Sequence, residues 1–327
     1  MAALPARALG QRRGGHPRWR QSRWWRGVVI AVLVVLVAAV ADGTVVLSRV
    51  TFNAVPSFTS TTSGETWIIV GSDNRAYDSP GYNVPLTAAD GPGDHADINL
   101  VIHQYSDKTS VLSLPRDLFL TPTSGTPNRL TVLLTQGPAY YTSALCNDLG
   151  IPPDHVILIR MATFAGIVDV LGGIDITLPY PFRDLKTRSS LPAGTSHLDG
   201  NQALAYVRSR QPQQFIDGKW VAVSDTQGAQ HRTNNAGVIF RLVADKLKSN
   251  LGNPIQLQRL AWAASNGLVV DSRSTLASLP TLTSAANQPA IDVPVATTAS
   301  PIVVMPDAAT YATLATAGYI RGDCHMG

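Results

Sequence analysis

The sequence predicts an α/β domain, a sheet covered by helices on both faces, carried behind a single N-terminal membrane-spanning helix. Two features lead there. From residue 66 onward, short apolar runs bounded by glycine and proline alternate with stretches of helical periodicity. Before them lies an apolar segment over 27–47, interrupted only near its end by Asp42. That length reaches the roughly 20 residues a helix needs to cross a bilayer.

The elements follow in order. Residues 1–26 hold seven arginines and no acid, with Trp19, Trp24 and Trp25 where an interfacial aromatic belt would lie. By the positive-inside rule this basic tail stays in the cytosol, 27–48 form the anchor and the rest faces outward. The competing reading is a cleaved signal peptide, since Ala39-Val40-Ala41 resembles a small-residue cleavage site. Residues 49–65, rich in Ser and Thr, suit a linker to an exported domain over 66–327. Within it, 67–70, 98–103 and 110–114 read as strands, the last two as a hairpin. A helix is expected over 131–149, a strand over 156–159, a helix over 163–171 and a strand over 174–178. Residues 76–96 and 179–197 read as loop. Helices follow over 198–207 and 232–250, then strands near 291–295 and 302–305. Without a linker near 252, one domain is expected.

The basic balance belongs to the tail. Without its seven arginines, 19 Lys+Arg face 22 Asp+Glu, a net charge of −3. A nucleic-acid binder keeps its positive charge on the folded part, so that class is excluded. Cys146 and Cys324 are the only cysteines. Outside the cell a disulfide between them is the natural hypothesis, two unpaired thiols the alternative. With no Cys-x-x-Cys and no His pair at metal spacing, zinc is not expected.

The chemistry concentrates in short motifs: Gly71-Ser72-Asp73-Asn74-Arg75, Ala96-Asp97, Leu114-Pro115-Arg116-Asp117 and Tyr206-Val207-Arg208-Ser209-Arg210. Guanidinium groups offer paired planar donors to phosphate oxygens and stay charged at working pH. Carboxylates beside them either hold the arginines or bind a hard divalent cation bridging the same phosphates. A pyrophosphate held by Mg²⁺ and several arginines is the site expected. Taken singly, each motif also has a structural reading: a turn aspartate at 73, a strand cap at 97, an ion pair at 116–117, a basic helix end at 208–210.

The ordered set resembles the LytR–CpsA–Psr family of cell-envelope enzymes. The likeness covers about 66–325 and includes Leu149–His155, Phe164–Pro179 and Leu198–Arg210. It implies an α/β/α fold with an apolar pocket for a lipid chain. It implies a phosphotransferase that moves a glycopolymer from a polyprenyl-pyrophosphate carrier to peptidoglycan, with pyrophosphatase as a side activity. Residues matching Asp73 and Asp97 would hold Mg²⁺. Arg75, Arg116, Arg208 and Arg210 would clamp the pyrophosphate beside Asp117, and Arg129 sits where the family often has a lysine.

One segment departs from the family pattern. Ser224–Asn234 keeps Asp225 and Arg232, and Gln227 remains as a donor, but Ala229 stands for an arginine and Thr233-Asn234 for two glutamines. Losing one clamp donor costs a few kcal/mol of transition-state stabilisation unless a neighbour compensates. This segment is the basis of a rival reading, a non-catalytic receptor or scaffold for lipid-linked glycans. High Ala, Arg and Val with little Lys points to a GC-rich genome, in which arabinogalactan is the expected cargo.

Overall fold

A computed structural model describes residues 34, 37, 39–74, 93–105, 108–209, 211–222, 225–274, 282, 284–285, 288–300 and 302–327; the side chains of 225–234 lie outside that description. Residues 1–48 and 49–327 form two separate compact units. Of the expected span over 27–48, residues 27–33, 35, 36 and 38 lie outside the described residues, and 39–48 are helical. Among those described, no helix is long and apolar enough to cross a membrane.

The second unit is built on a seven-stranded mixed sheet. Its strands are β1 (Thr51–Asn53), β2 (Glu65–Ser72), β3 (Ala96–Tyr105), β4 (Lys108–Ser113), β5 (His155–Arg160), β6 (Leu268–Asp271) and β7 (Ala290–Asp292), in the spatial order β1-β6-β5-β2-β3-β4-β7. β2 lies at the centre, parallel to β5 and antiparallel to β3. Its near-continuous apolar run, Trp67-Ile68-Ile69-Val70, is what a strand covered on both faces requires.

The two faces are filled by alternate residues. Ile68, Val70, Val101, Leu112 and Leu158 pack with Tyr141, Leu145 and Leu149 of α1 (Pro138–Leu149). On the other face Trp67, Ile69, Ile102 and Ile157 meet Phe240 of α4 (Asp225–Asn250). That face is also walled by α2 (Met161–Val170) and α3 (Gly200–Val207), while α5 (Pro254–Ser265) follows α4. α6 (Ala308–Thr316) adds Leu314 to the α1 side.

Three expectations are corrected. Thr51–Asn53, expected in the linker, is the edge strand β1, because its backbone finds parallel partners in β6. The helix expected over 131–149 is broken at Gly137, whose φ of 102° only glycine adopts easily, and restarts at Pro138. Residues 179–197 contain strands at Phe182–Asp184, Ser189–Leu191 and most of Gly194–Leu198, too short to carry a visible alternation. Arg208 keeps helical dihedrals (φ −80°, ψ −6°) as the C-cap of α3, which agrees with the basic helix end that 208–210 also allowed.

Cys146 and Cys324 are joined, tying the C-terminal end to α1 across 178 residues. Closing a loop of that length removes about 5 kcal/mol of unfolded-chain entropy in the chain-entropy account. Cys324→Ser is therefore expected to lower the melting temperature by about 10 °C under non-reducing conditions.

His103 is a second stability element. It is buried, its Nδ1 lies 2.9 Å from Thr66 Oγ1, and its ring leans on Tyr319. Burial pushes its pKa below 6.5, against a smaller opposing effect of the Ser63 backbone. The unfolded chain then binds the extra proton first, so stability falls as pH drops through 6.5 toward the folded value. His103→Phe should flatten that loss, read from melting curves between about pH 7 and pH 5.

Candidate functional site

Ser72 closes β2 and Ala96 opens β3. Their pairing skips a residue: Gly71 faces Ile98 and Ser72 faces Ala96, so Asp97 is the extra residue of a bulge. A bulge re-aims its side chain, and here Asp97 reaches the Arg116 guanidinium. Asp73 is 8% exposed; its Oδ1 accepts the His95 backbone N–H at 3.1 Å and lies 3.3 Å from His95 Nδ1.

Pro115 ends the β4 run, and Arg116 turns back to this edge. Its Nη1 meets Asp97 Oδ1, and its Nε donates to Asp117 Oδ1 at 3.4 Å. Asp117 Oδ1 also accepts from Arg129 Nη1 at 3.1 Å. The pairing of Phe119–Leu120 with Asn128–Arg129 fixes that arginine. Asp97, Arg116, Asp117 and Arg129 therefore form one alternating chain of charge. Burial opposes the Arg116 charge, but Asp97 and Asp117 outweigh it and hold the guanidinium proton more firmly than usual.

An apolar cavity of about 260 Å³ opens beside this chain. Its floor is the sheet face of Ile69, Ile98, Leu100, Ile157 and Ile159. Its walls are Met161, Phe164 and Ile167 of α2, Leu204 and Val207 of α3, and residues from Ala236 to Leu247 of α4. Polar residues in the lining are Ser72, Asp97 and Arg208. The result is a greasy pocket with charged groups at one end, the form that suits an amphiphile.

The Leu198–Arg210 motif explains how Arg208 gets there. Asp199 caps α3 in a reciprocal box with Gln202, and the Gly200 N–H donates to Asp169 Oδ1 at 2.7 Å. A β-carbon at Gly200 would overlap the Ala165 carbonyl oxygen, so α3 can sit this close to α2 only with glycine. Ser209 is fully buried and donates to Asp184 Oδ2 at 2.6 Å, locking the chain just past Arg208.

The structure thus brings together Asp73, Asp97, Arg116, Asp117, Arg129 and Arg208 at one edge of the sheet. Arg75 and Arg210 lie outside the described residues. Asp225, Gln227 and Arg232 fall in the first turns of α4, and their side chains lie outside them too. Among the described residues no three His, Cys, Asp or Glu side chains form a self-sufficient metal cage. Asp73 and Asp97, hard oxygen donors at adjoining strand ends, fit the one or two carboxylates that Mg²⁺ takes alongside substrate phosphates.

Sequence reading missed Arg160. It ends β5 opposite Ser72 and is 8% exposed. Its Nη2 and Nε reach the two Asp94 oxygens at 3.2 and 3.3 Å, and Asp94 Oδ1 also accepts from Ser72 Oγ at 2.5 Å. Asp94 adjoins His95, the residue that holds Asp73. The available signal was an arginine closing an apolar strand, as at Arg116. Arg160→Met leaves the Asp94 carboxylate without this guanidinium and is expected to cost about 1–3 kcal/mol of stability, read from melting curves. Arg160→Lys should recover part of it.

A sequence model described as the LytR_cpsA_psr family matches residues 44–219. A probable cell wall biosynthesis protein, LcpB of Corynebacterium glutamicum, is 32% identical over 183 residues, 55% of this chain and 43% of its own length. The polyisoprenyl-teichoic acid–peptidoglycan teichoic acid transferase TagV of Bacillus subtilis is 26% identical over 174 residues, 50% of this chain and 41% of its own. The chain thus spans less than half the length of these two relatives. The structure of a LytR-Csp2A-Psr enzyme from Actinomyces oris superposes with a TM-score of 0.71 at 31% identity, covering 85% of this chain and 99% of that one.

Proposed function

The chain belongs to the LytR–CpsA–Psr family, and from that premise we propose that it transfers a glycopolymer from a polyprenyl-pyrophosphate carrier to peptidoglycan. The observation that carries this reading is the apolar cavity with Asp97 and Arg208 in its lining and Arg116 paired to Asp97. A lipid tail would fill the cavity while its phosphates meet the arginines.

In this scheme a sugar hydroxyl of the acceptor attacks the phosphorus next to the glycan. A phosphodiester forms, the bond to the bridging oxygen breaks, and the lipid phosphate leaves, with the hydroxyl proton passing to its oxygens. Arg116, Arg208, Arg75 and Arg210 bind and orient the phosphate oxygens as charge shifts between them. Such transfers depend on positioning and charge stabilisation more than on covalent help. Asp73 and Asp97 would hold Mg²⁺, which when bound supplies further positive charge to those oxygens. Asp97, already paired with the Arg116 guanidinium, is read as a ligand rather than a base.

The domain is placed outside the membrane by residues 27–48, with the basic tail inside. Arabinogalactan is the cargo that composition favours. The test offers the full-length protein a polyprenyl-pyrophosphate glycan, with and without Mg²⁺ and a peptidoglycan acceptor. Glycan joined to acceptor only with Mg²⁺ is the expected result. Free phosphate without acceptor would mark a pyrophosphatase. Tight binding without turnover would mark the receptor that the 228–234 segment raises. Exchanging arabinogalactan for teichoic acid donors identifies the cargo.

A further inference from the structure

We infer that α5 is an interfacial helix, which lies on the bilayer surface at anionic phospholipid headgroups and sets the cavity against the membrane. The inference rests on the anchoring of residues 27–48 proposed above.

α5 follows α4 after a short corner and is held to the cavity wall, because Gln256 Nε2 donates to the Val170 carbonyl at the end of α2. Leu260 faces inward. Ile255 and Trp262, two turns apart on one side, are 72% and 37% exposed, Leu257 on a different side is 37% exposed, and Leu251 at the corner is 52% exposed. Scattered apolar residues are normal on a surface, but here four gather on one short helix and its corner beside a cavity.

Charge points the same way. Between Asp245 and Asp271 the chain carries Lys246, Lys248 and Arg259 and no acid. Apolar bulk with tryptophan and basic residues is the composition of helices that lie in the headgroup region of anionic membranes.

The start of the domain fixes the place. Arg49 is the first residue after the expected span, and its guanidinium lies over the Trp262 ring, 4.9 Å from the centroid. The first residue of the domain therefore lies one arginine side chain away from α5. Leu247, the last α4 residue lining the cavity, comes four positions before Leu251. A tail moving from bilayer to cavity would pass along this corner without crossing water.

The test uses the full-length protein in vesicles of phosphatidylcholine and phosphatidylglycerol, carrying Ile255→Cys or Thr316→Cys and a nitroxide label. The native cysteines are paired and stay silent. Thr316 is an exposed control on α6, which covers the other face of the sheet. Collision with oxygen and with a water-soluble nickel chelate reads depth. The label at 255 is expected about 5–10 Å below the headgroup surface, and the label at 316 in water. A 255 label as open to nickel as the 316 label overturns the inference. A carbonate wash separates this from failure of the anchor. Protein that stays bound with a wet 255 label keeps its anchor and loses the interfacial helix. Protein stripped by carbonate with a wet label loses both readings. An immersed 255 label supports the helix whether or not the protein is stripped.

Discussion

Arg116→Ala is expected to lower turnover by about three orders of magnitude while the chain remains folded. The guanidinium is the one described group that touches both Asp97 and Asp117, and its side chain is only 16% exposed. Charge-assisted donors aimed into a site of this kind are each worth about 10²–10³ in rate. Removal takes away a phosphate donor together with the guanidinium that pairs with Asp97. Arg116→Lys keeps the charge but offers one ammonium where a planar fork spans two carboxylates. It should retain a small fraction of activity rather than half. The alanine variant leaves the Asp97 carboxylate buried beside a lost partner, which costs about 1–3 kcal/mol. Melting curves separate that from unfolding, and Arg116→Ala with Asp97→Asn should melt higher than Arg116→Ala alone. Transfer by Arg116→Ala at the wild-type rate would sink the clamp.

The outcome depends on contacts whose legibility in the sequence was uneven. Wherever a strand is apolar throughout, as at Trp67–Val70, its burial on both faces could be read directly, and with it the layered fold. Asp73, Asp97, Arg116 and Arg208 were legible because each closes or opens such a strand or helix. Arg160 meets the same criterion and was overlooked, since its partner Asp94 sits in a segment read as loop. The bulge at Asp97 was not legible. A register shift depends on what the neighbouring strand offers, and β2 lies some 25 residues away in the chain. The cavity was expected only through family resemblance. Apolar positions of α4 look the same in sequence whether they fill a core or line a space. What distinguishes them is how far the helices and the sheet stand apart, which backbone contacts such as that of Gly200 with Ala165 help to set and no periodicity carries. The strands within 182–198 were missed because two of them have only three residues and Gly194–Leu198 is polar but for its last residue, so pairing rather than an apolar pattern stabilises them.

Filling the cavity tests the other half of the site. Ala244 lines it from α4, so Ala244→Trp directs an indole into a space of about 260 Å³. Each methylene excluded from such a pocket forfeits about 0.8 kcal/mol. Four displaced groups then cost about 3 kcal/mol, a loss of roughly two hundredfold in affinity for a long-chain donor. Overpacking of the wall should cost about 1–3 kcal/mol of stability, which melting curves would register. Chain length distinguishes occlusion from general damage. With the native protein, affinity for a series of prenyl pyrophosphates should rise with each added unit until the cavity is full. With Ala244→Trp the rise should stop earlier, while the shortest donors, held by Arg116 and Arg208, bind as before. Parallel curves for the two proteins would mean that the tail lies elsewhere and that this cavity is a packing defect between α4 and the sheet. Curves that diverge only with length would place the lipid where Ile69, Phe164 and Val243 face one another.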